Sequence, residues 1–272
     1  MHSAQNRQYI SFEETAMQYD PVKDRFATYV SIFPGFRSLF YKLLDAILLR
    51  QAYVKKAINR HFRDGNLFYD AGAGFCQYSD YVLRKYPAAE VFAVDLKTQY
   101  LESYAQVADN RFSFQSADLQ TYKPQRQYHM AIAIDILEHI EDDLSTLKNF
   151  HAALVEGGTL IISTPSDLDE AAKFTEEHVR PGYNKLELEQ KLENCGFEVL
   201  SSRYSYGFWG ALSWRLLLKY PLKMFSRSRY SMPLIAVYYF LVFIPARLMM
   251  LMDLAGENHC GTGIIIEARK KH

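Results

Sequence analysis

The sequence predicts an α/β fold in which helices cover both faces of a doubly wound, mostly parallel β-sheet. Between residues 65 and 200, short apolar runs typical of buried strands alternate with segments of helical periodicity. Crossovers in such sheets are right-handed, and ligands bind where the carboxyl ends of the strands meet. The chain has 272 residues, which is long enough for one such domain with additions.

Seven apolar runs are predicted strands, and four amphipathic segments are predicted helices. The last two strands flank residues 205–257, which lack a strand–helix rhythm, so these strands can pair antiparallel around an insertion. The predicted strands are 67–70, 90–95, 111–116, 129–135, 158–164, 197–204 and 263–268, and the predicted helices are 76–86, 98–108, 141–154 and 184–195.

Two hydrophobic regions lie outside this alternating section. Residues 21–62 carry aromatic and aliphatic side chains at helical spacing, and one apolar face is formed by Phe40, Leu43, Leu44, Ile47 and Leu48. The second region is a dense aromatic and aliphatic block that contains both tryptophans. We therefore divide the chain into an N-terminal helical cap (1–62), a core (63–206), a hydrophobic helical insertion (207–256) and the final strand of the core (257–272).

Composition narrows the setting in which the protein works. Basic and acidic residues each number 31, so the formal net charge is zero, and we expect no nucleic-acid partner. Cys76, Cys195 and Cys260 are too far apart for a metal motif or a disulfide framework, which indicates a reducing compartment and no metal site. The first 20 residues lack an apolar signal segment, so we expect a cytoplasmic protein.

The stretch "LFYDAGAGFCQYSDYV", which begins at Leu67, joins a predicted strand to a predicted helix through two glycines. Gly72 and Gly74 permit a tight turn and a close approach of a ligand to the backbone. A dinucleotide motif would place a third glycine where Gln77 stands, and no Gly-Lys-Ser or Gly-Lys-Thr follows, so a pyrophosphate ligand fits poorly. The carboxylate of Asp70 favours a ligand with an ammonium or sulfonium group.

Carboxylates end four successive predicted strands. A carboxylate at Asp95 can accept hydrogen bonds from both hydroxyls of a ribose, and Asp118 stands where an adenine amine could be met. Taken alone, any of these acids could be a helix cap or a loop residue. Four of them at neighbouring strand ends, namely Asp70, Asp95, Asp118 and Asp135, indicate a binding site.

The ordered segments "LFYDAGAGFCQYS", "VFAVDL", "SADLQ", "IDILEHIEDD" and "LVEGGTLIISTP" resemble the motifs of class I S-adenosylmethionine-dependent methyltransferases. The resemblance covers roughly residues 65–200 well and the final strand loosely. It implies a Rossmann-like sheet of seven strands with the last one antiparallel, and S-adenosyl-L-methionine as cofactor. The implied cofactor contacts are Asp70, Ala71, Gly72 and Gly74 around the methionine part, Asp95 with Leu96 at the ribose, Asp118 with Leu119 at the adenine, and Asp135 with Ile136 near the sulfonium.

Methyl transfer requires an aligned acceptor atom and, for a hydroxyl or an acidic carbon, a general base. Histidine suits that role at neutral pH. We favour His178, in the loop after the fifth strand, over His139, which follows the fourth strand, although each can also be a structural residue. Tyr183 and Trp209 are the candidate acceptor contacts.

The hydrophobic insertion favours a hydrophobic or aromatic small molecule as acceptor, such as a quinone precursor, a polyketide or aryl-polyene pigment, or a lipid. In this interpretation the insertion is a lid over the acceptor that touches the membrane surface through Lys219, Lys223, Arg227 and Arg229; the alternatives are a core or homodimer helix pair and a transmembrane helix, which Pro245 and Arg247 disfavour. Other readings stay open: a methyltransferase acting on protein or RNA, and a non-catalytic binding or scaffold relative. A nucleotide-binding oxidoreductase shares the sheet but not the glycine pattern.

Overall fold

The computed structural model describes residues 34–168, 179–221 and 232–271 of the chain. A short 3-10 turn, Leu137–His139, follows the strand that ends at Ile134, and a π-helical turn, Arg215–Lys219, continues the helix that ends at Trp214. The strands are β1 (Leu67–Ala71), β2 (Glu90–Asp95), β3 (Phe112–Ser116), β4 (Tyr128–Ile134), β5 (Leu154–Pro165), β6 (Phe197–Ser205) and β7 (Gly263–Lys270). The helices are α1 (Pro34–Ile47), α2 (Leu49–His61), α3 (Gln77–Lys85), α4 (Thr98–Ala105), α5 (Asp143–Ala153), α6 (Lys185–Asn194), α7 (Phe208–Trp214) and α8 (Met232–Ala255).

The seven strands form one sheet in the order β3-β2-β1-β4-β5-β7-β6. The first six strands run in one direction, and β7 is antiparallel to both of its neighbours, β5 and β6. The chain enters at the centre with β1, builds outwards to β3, and then crosses back to β4. The predicted fold class is confirmed, and the switch point of the sheet lies between the carboxyl ends of β1 and β4.

Strand β5 begins earlier than its apolar run predicts. The chain passes directly from the last residue of α5 into the strand at Leu154, and Gly157 then adopts a φ of 74°. The pairing of β4 with β5 shifts register between Tyr128 and Met130, opposite this irregularity. The continuous apolar run that is typical of a buried strand begins only after Gly158, which explains the later predicted start.

The two faces of the sheet carry separate cores. Ile132 and Ile161 belong to the core that also contains side chains of α2, α3 and α8. Ala133 and Ile162, the next residue of each strand, belong to the core under α5 and α6. This alternation of side chains across a strand accounts for the nearly continuous apolar runs of β4 and β5.

The insertion is fastened to the N-terminal helices by a buried polar cluster. The carboxylate of Asp253, on α8, accepts hydrogen bonds from the backbone N–H of Gly210 at 2.9 Å and from the Tyr53 hydroxyl at 2.8 Å. Leu217 and Met250 from the insertion are buried in the core next to α2. The insertion is therefore an integral part of one face of the domain.

Loss of the Tyr53 hydroxyl should destabilise this contact. We expect Tyr53→Phe to lower the free energy of unfolding by about 1–3 kcal/mol, because the buried Asp253 carboxylate loses a donor. Urea denaturation measures the change. The matched control is Tyr81→Phe, whose hydroxyl donates to Asn59 at the surface and should change stability by less than about 0.5 kcal/mol. Equal effects of the two substitutions would contradict this account.

Helix α1 packs over the loop that follows β1. The rings of Phe40 and Phe75 meet edge to face at 5.4 Å, and the Arg37 guanidinium donates to the Ser103 hydroxyl at 2.7 Å. The predicted apolar face of residues 40–48 is only partly buried, since Leu43 is 46% exposed. The reason is that Leu48 adopts an extended conformation and breaks the segment into two helices.

Candidate functional site

The turn between β1 and α3 is closed on one side and open on the other. The N–H of Gly72 donates to the Val94 carbonyl at 2.7 Å, and its φ of 75° suits glycine. A Cβ at this position would overlap the Ile136 side chain, whereas a Cβ on Gly74 would meet no atom within 4 Å. The space beside Gly74 can therefore receive a ligand.

Asp95 is held rigidly at the carboxyl end of β2. One carboxylate oxygen accepts from the N–H of Gly74 at 2.8 Å, and the other accepts from the N–H of Lys97 at 2.9 Å. Each oxygen has a second lone pair, so the group can also accept hydrogen bonds from two vicinal hydroxyls. The next side chain, Leu96, is exposed, as expected for an apolar residue that a ligand would cover.

The loop after β3 brings one of its two predicted contacts to the surface. Asp118 is exposed, and its carboxylate accepts from the N–H of Gln120 at 2.9 Å. Leu119 is instead buried in the core under α5 and α6, and its carbonyl accepts from the Asn149 amide at 3.2 Å. The Leu119 side chain thus supports the loop from below, and its contact with an adenine stays a prediction.

The structure also corrects the picture of Asp70 as an exposed charge. Its side chain is buried beneath the glycine turn and accepts a hydrogen bond from the Ser79 hydroxyl at 2.7 Å. Burial raises the pKa of Asp70 to about 7, and the charge of nearby Asp95 acts in the same direction. Asp70 links β1 to α3, so it shapes the turn, as does its buried neighbour Ala71.

This raised pKa has a consequence for stability. The native state holds a proton on Asp70 that the unfolded chain releases near pH 4, so wild-type stability falls as pH rises from about 4 to 7. Asp70→Asn removes this loss. We expect the stability advantage of the variant to grow by about 2–3 kcal/mol between pH 5 and pH 8. Urea denaturation of both proteins at pH 5 and pH 8 tests this expectation. A difference in unfolding free energy that is the same at both pH values would contradict the raised pKa of Asp70.

At the end of β4, Asp135 forms an ion pair with Arg50 of α2. The backbone N–H of Arg50 donates to the hydroxyl of Tyr206, the first residue after β6. Near this pair, the hydroxyl of Tyr78 and the Nε of Arg50 are buried without hydrogen-bond partners among the described residues. Sequence reasoning missed Arg50, because it lies 85 residues before Asp135 on a helix with no motif.

Strained backbone marks the same edge of the sheet. Among the described residues, the non-glycine positions with positive φ are Cys76 at 59°, Asp135 at 52° and Tyr206 at 53°. They follow β1, β4 and β6, at the carboxyl ends of these parallel strands. Such conformations cost about 1–3 kcal/mol each and cluster at functional sites, which supports this edge as the site.

The structure describes one of the two predicted bases, His139. His139 is half-buried in the 3-10 turn after Asp135, next to the buried Glu138. The Glu138 carboxylate accepts from the Thr164 hydroxyl at 3.0 Å, and burial raises the pKa of Glu138. His178 lies outside the described residues. The next residue, Val179, is held to the same turn, because its N–H donates to the Glu138 carbonyl at 3.0 Å.

The predicted acceptor contacts are less well placed. Tyr183 is buried, and its hydroxyl donates to the Asp143 carboxylate at 2.8 Å, which Arg180 and Lys191 also approach. Its ring is part of the core under α5 and α6, and its role as an acceptor contact stays a prediction. Trp209 is partly exposed at the start of α7, where its ring contacts Phe208 at 5.0 Å.

One curated protein resembles part of this chain in sequence. A curated relative, the trans-aconitate 2-methyltransferase of Agrobacterium fabrum (strain C58 / ATCC 33970), is 28% identical over 102 residues. That match covers 38% of this chain and 40% of the relative, so it spans less than half the length of either protein.

Solved structures share the fold at low identity. A protein of Galdieria sulphuraria, described as a proposed sarcosine dimethylglycine methyltransferase, superposes with a TM-score of 0.55 at 15% identity, covering 82% of this chain and 84% of its own. Phosphoethanolamine N-methyltransferase 2 of Haemonchus contortus, solved with S-adenosyl-L-methionine, gives a TM-score of 0.56 at 17% identity over 80% of this chain and 52% of its own. At these identities the likeness establishes the fold alone.

The family itself is established by sequence. A family model described as a methyltransferase domain matches residues 55–202, which is more than half of the chain and runs from the middle of α2 into β6. The matched range contains the glycine turn, Asp95, Asp118 and Asp135. The predicted membership among class I S-adenosylmethionine-dependent methyltransferases is confirmed, and the chain belongs to the methyltransferase domain family.

Proposed function

We propose that this protein transfers the methyl group of S-adenosylmethionine to a hydrophobic or aromatic small molecule, at the carboxyl edge of β1–β4. The observation that carries the proposal is the convergence of Asp95, the open side of Gly74 and the Arg50–Asp135 ion pair on one edge of the sheet. The cofactor supplies an activated methyl group on a sulfonium, so the protein needs to position the reactants rather than activate the donor.

The residues present fit this cofactor. A Cβ on Gly74 would meet no described atom within 4 Å, so a ligand can approach the backbone there, and Asp95 has lone pairs left for the ribose hydroxyls. Along the sheet, the exposed Asp118 lies beyond Asp95, on the side where the adenine would be expected. In the other direction lies the ion pair at the end of β4, on the methionine side.

The ion pair suits the zwitterionic end of the methionine part. Arg50 can bind its carboxylate, and Asp135 can accept from its ammonium group. In the chain as described, these two charges satisfy each other, so a zwitterion that inserts between them replaces one pairing with two. The unpartnered Nε of Arg50 and hydroxyl of Tyr78 offer two further donors nearby.

The acceptor side is bounded by the insertion. Tyr206 contacts Arg50 through its hydroxyl, and the insertion begins at the following residue. Because the insertion packs directly against α2, an acceptor that reaches the sulfonium passes beside a largely apolar part of the chain. This neighbourhood supports a hydrophobic or aromatic acceptor, including a quinone, a polyketide or aryl-polyene pigment, or a lipid-like molecule.

A proton must leave if the acceptor is a hydroxyl or an acidic carbon. His139 is the described residue best placed to take it, because it lies four residues after Asp135 in the turn at the end of β4. His178 stays the other candidate. A neutral nitrogen acceptor would need neither histidine as a base.

The test follows the label from S-adenosylmethionine that carries tritium in its methyl group. The purified protein is incubated with extract of its source cells, and products are partitioned into solvent-extractable, protein and nucleic-acid fractions. We expect label in the solvent-extractable fraction, and none when Asp95→Ala replaces the wild type. Label confined to the protein or nucleic-acid fraction would replace the proposed acceptor class with a macromolecular one.

A further inference from the structure

Helix α8 presents a long apolar face to solvent. Most of the large apolar exposed positions are three or four residues apart, which places them along one side of the helix. Phe240 is 85% exposed and Ile244 is 63% exposed. The large apolar side chains exposed on this helix, here called the α8 face, are Leu234, Val237, Phe240, Leu241, Ile244, Leu248, Leu251 and Met252. Contiguous exposure on this scale is unusual for a monomer in water and marks an interaction surface.

The opposite side of the same helix is fixed to the protein. The hydroxyls of Tyr238 and Tyr239 donate to the carbonyls of Leu216 and Leu217 at 2.8 and 2.7 Å. At the other end, Asp253 is buried against Tyr53 and Gly210. The 15 residue steps from Tyr238 to Asp253 span roughly 22 Å of helix. The helix is therefore held along the surface of the domain over most of its length.

This attachment decides how the helix could meet a membrane. The segment Ala236–Ala255 is long and apolar enough to cross a bilayer, and only 17% of its apolar window is buried. A crossing would require the buried polar contacts to Tyr53 and Gly210 to break and the core around Met250 to open. Lying in the plane of the interface exposes only the α8 face to lipid and leaves those contacts intact.

Charge points to the kind of partner. Residues 207–252 contain six lysines and arginines and no aspartate or glutamate, within a chain whose 31 basic and 31 acidic residues balance overall. Arg215 and Lys219 are exposed one turn apart, just after α7. Three of the six, Lys223, Arg227 and Arg229, lie outside the described residues. Two copies of the chain that met through this region would bring like charges together, whereas an anionic lipid surface complements them.

We propose that the α8 face docks on the surface of an anionic lipid bilayer, with the helix parallel to the membrane plane. Apolar side chains enter the boundary between headgroups and acyl chains, and the exposed Arg215 and Lys219 contact lipid phosphates. This docking does not depend on methyl transfer. It also gives the domain a route to a lipophilic acceptor that is dissolved in the bilayer.

Flotation of the full chain with vesicles tests the proposal. Vesicles of phosphatidylcholine alone are compared with vesicles that contain phosphatidylglycerol, at low and high salt. We expect binding to the anionic vesicles, reduced at high salt. Phe240→Glu/Ile244→Glu should weaken this binding at least about tenfold. Leu186→Glu/Val107→Glu, which changes two exposed apolar residues elsewhere, should leave it unchanged.

Three results would overturn the proposal. One is wild-type protein that stays unbound with both kinds of vesicle, a result that does not depend on any variant. Another is equal binding to neutral and anionic vesicles, which would remove the role of charge. The third is a dimer in sedimentation analysis that Phe240→Glu/Ile244→Glu converts to monomer, which would assign the α8 face to a second copy of the chain. Circular dichroism verifies that the variants are folded.

Discussion

Asp95→Ala should weaken binding of S-adenosylhomocysteine by about 100-fold or more. The substitution removes the proposed acceptor of two ribose hydroxyls, and hydrogen bonds to charged groups contribute about 1.5–3 kcal/mol each. It also frees the N–H groups of Gly74 and Lys97, which the carboxylate now holds, so the glycine turn loses its shape. Isothermal titration of wild type and variant measures the change.

The matched control for this variant is Asp109→Ala. Asp109 lies before β3, at the opposite edge of the sheet, and its carboxylate also accepts from the N–H two residues later, that of Arg111 at 3.0 Å. The control therefore removes the same local hydrogen bond without touching the candidate site. An affinity for S-adenosylhomocysteine that falls equally in both variants, or in neither, would argue against a ribose contact at Asp95.

Arg50→Ala should reduce affinity for S-adenosylhomocysteine by about 10- to 100-fold, because the proposed partner of its carboxylate is lost and Asp135 is left unpaired. Arg50→Lys should retain part of the affinity, since it keeps the charge but not the planar two-point geometry. Titration against 5′-methylthioadenosine, which lacks the amino acid end, separates this role from a general loss of structure. That affinity should change little.

Arg60→Ala is the control on the same helix. Arg60 pairs with Glu267 of β7 at 2.8 Å, away from the glycine turn and the end of β4. Its loss should leave the affinity for S-adenosylhomocysteine unchanged. A loss of affinity for 5′-methylthioadenosine in Arg50→Ala that matches the loss for S-adenosylhomocysteine would show that Arg50 supports the fold of the site instead of binding the amino acid end.

The sheet and much of its carboxyl edge could be predicted from the sequence, because buried parallel strands and strand-to-helix turns require apolar runs and glycines at nearby positions. The apolar runs predicted all seven strands. Asp95, the last residue of β2, and Asp135, which follows β4, lie at the predicted edge of the sheet. Local patterns leave the roles of other side chains open. Tyr183 carries the same side chain whether it faces an acceptor or the buried Asp143, and only tertiary packing decides between them.

Contacts between residues far apart in the chain could not be predicted from the sequence. Arg50 on α2 pairs with Asp135 after β4, which lies 85 residues later in the chain, and no spacing rule connects the two positions. The same holds for the burial of Asp253 against Tyr53, 200 residues apart, which makes the insertion part of the domain. The hydrophobicity of the insertion was evident, but which of its sides faces solvent emerged only from its packing.

The most direct test of the central claim is a crystal structure of the protein with S-adenosylhomocysteine. We expect the ribose hydroxyls within hydrogen-bond distance of the Asp95 carboxylate, the adenine on the side of Asp118, and the amino acid end between Arg50 and Asp135. A ligand bound elsewhere, or in the reverse direction along the sheet, would contradict the assignment of the site. So would an empty carboxyl edge in crystals grown at saturating ligand.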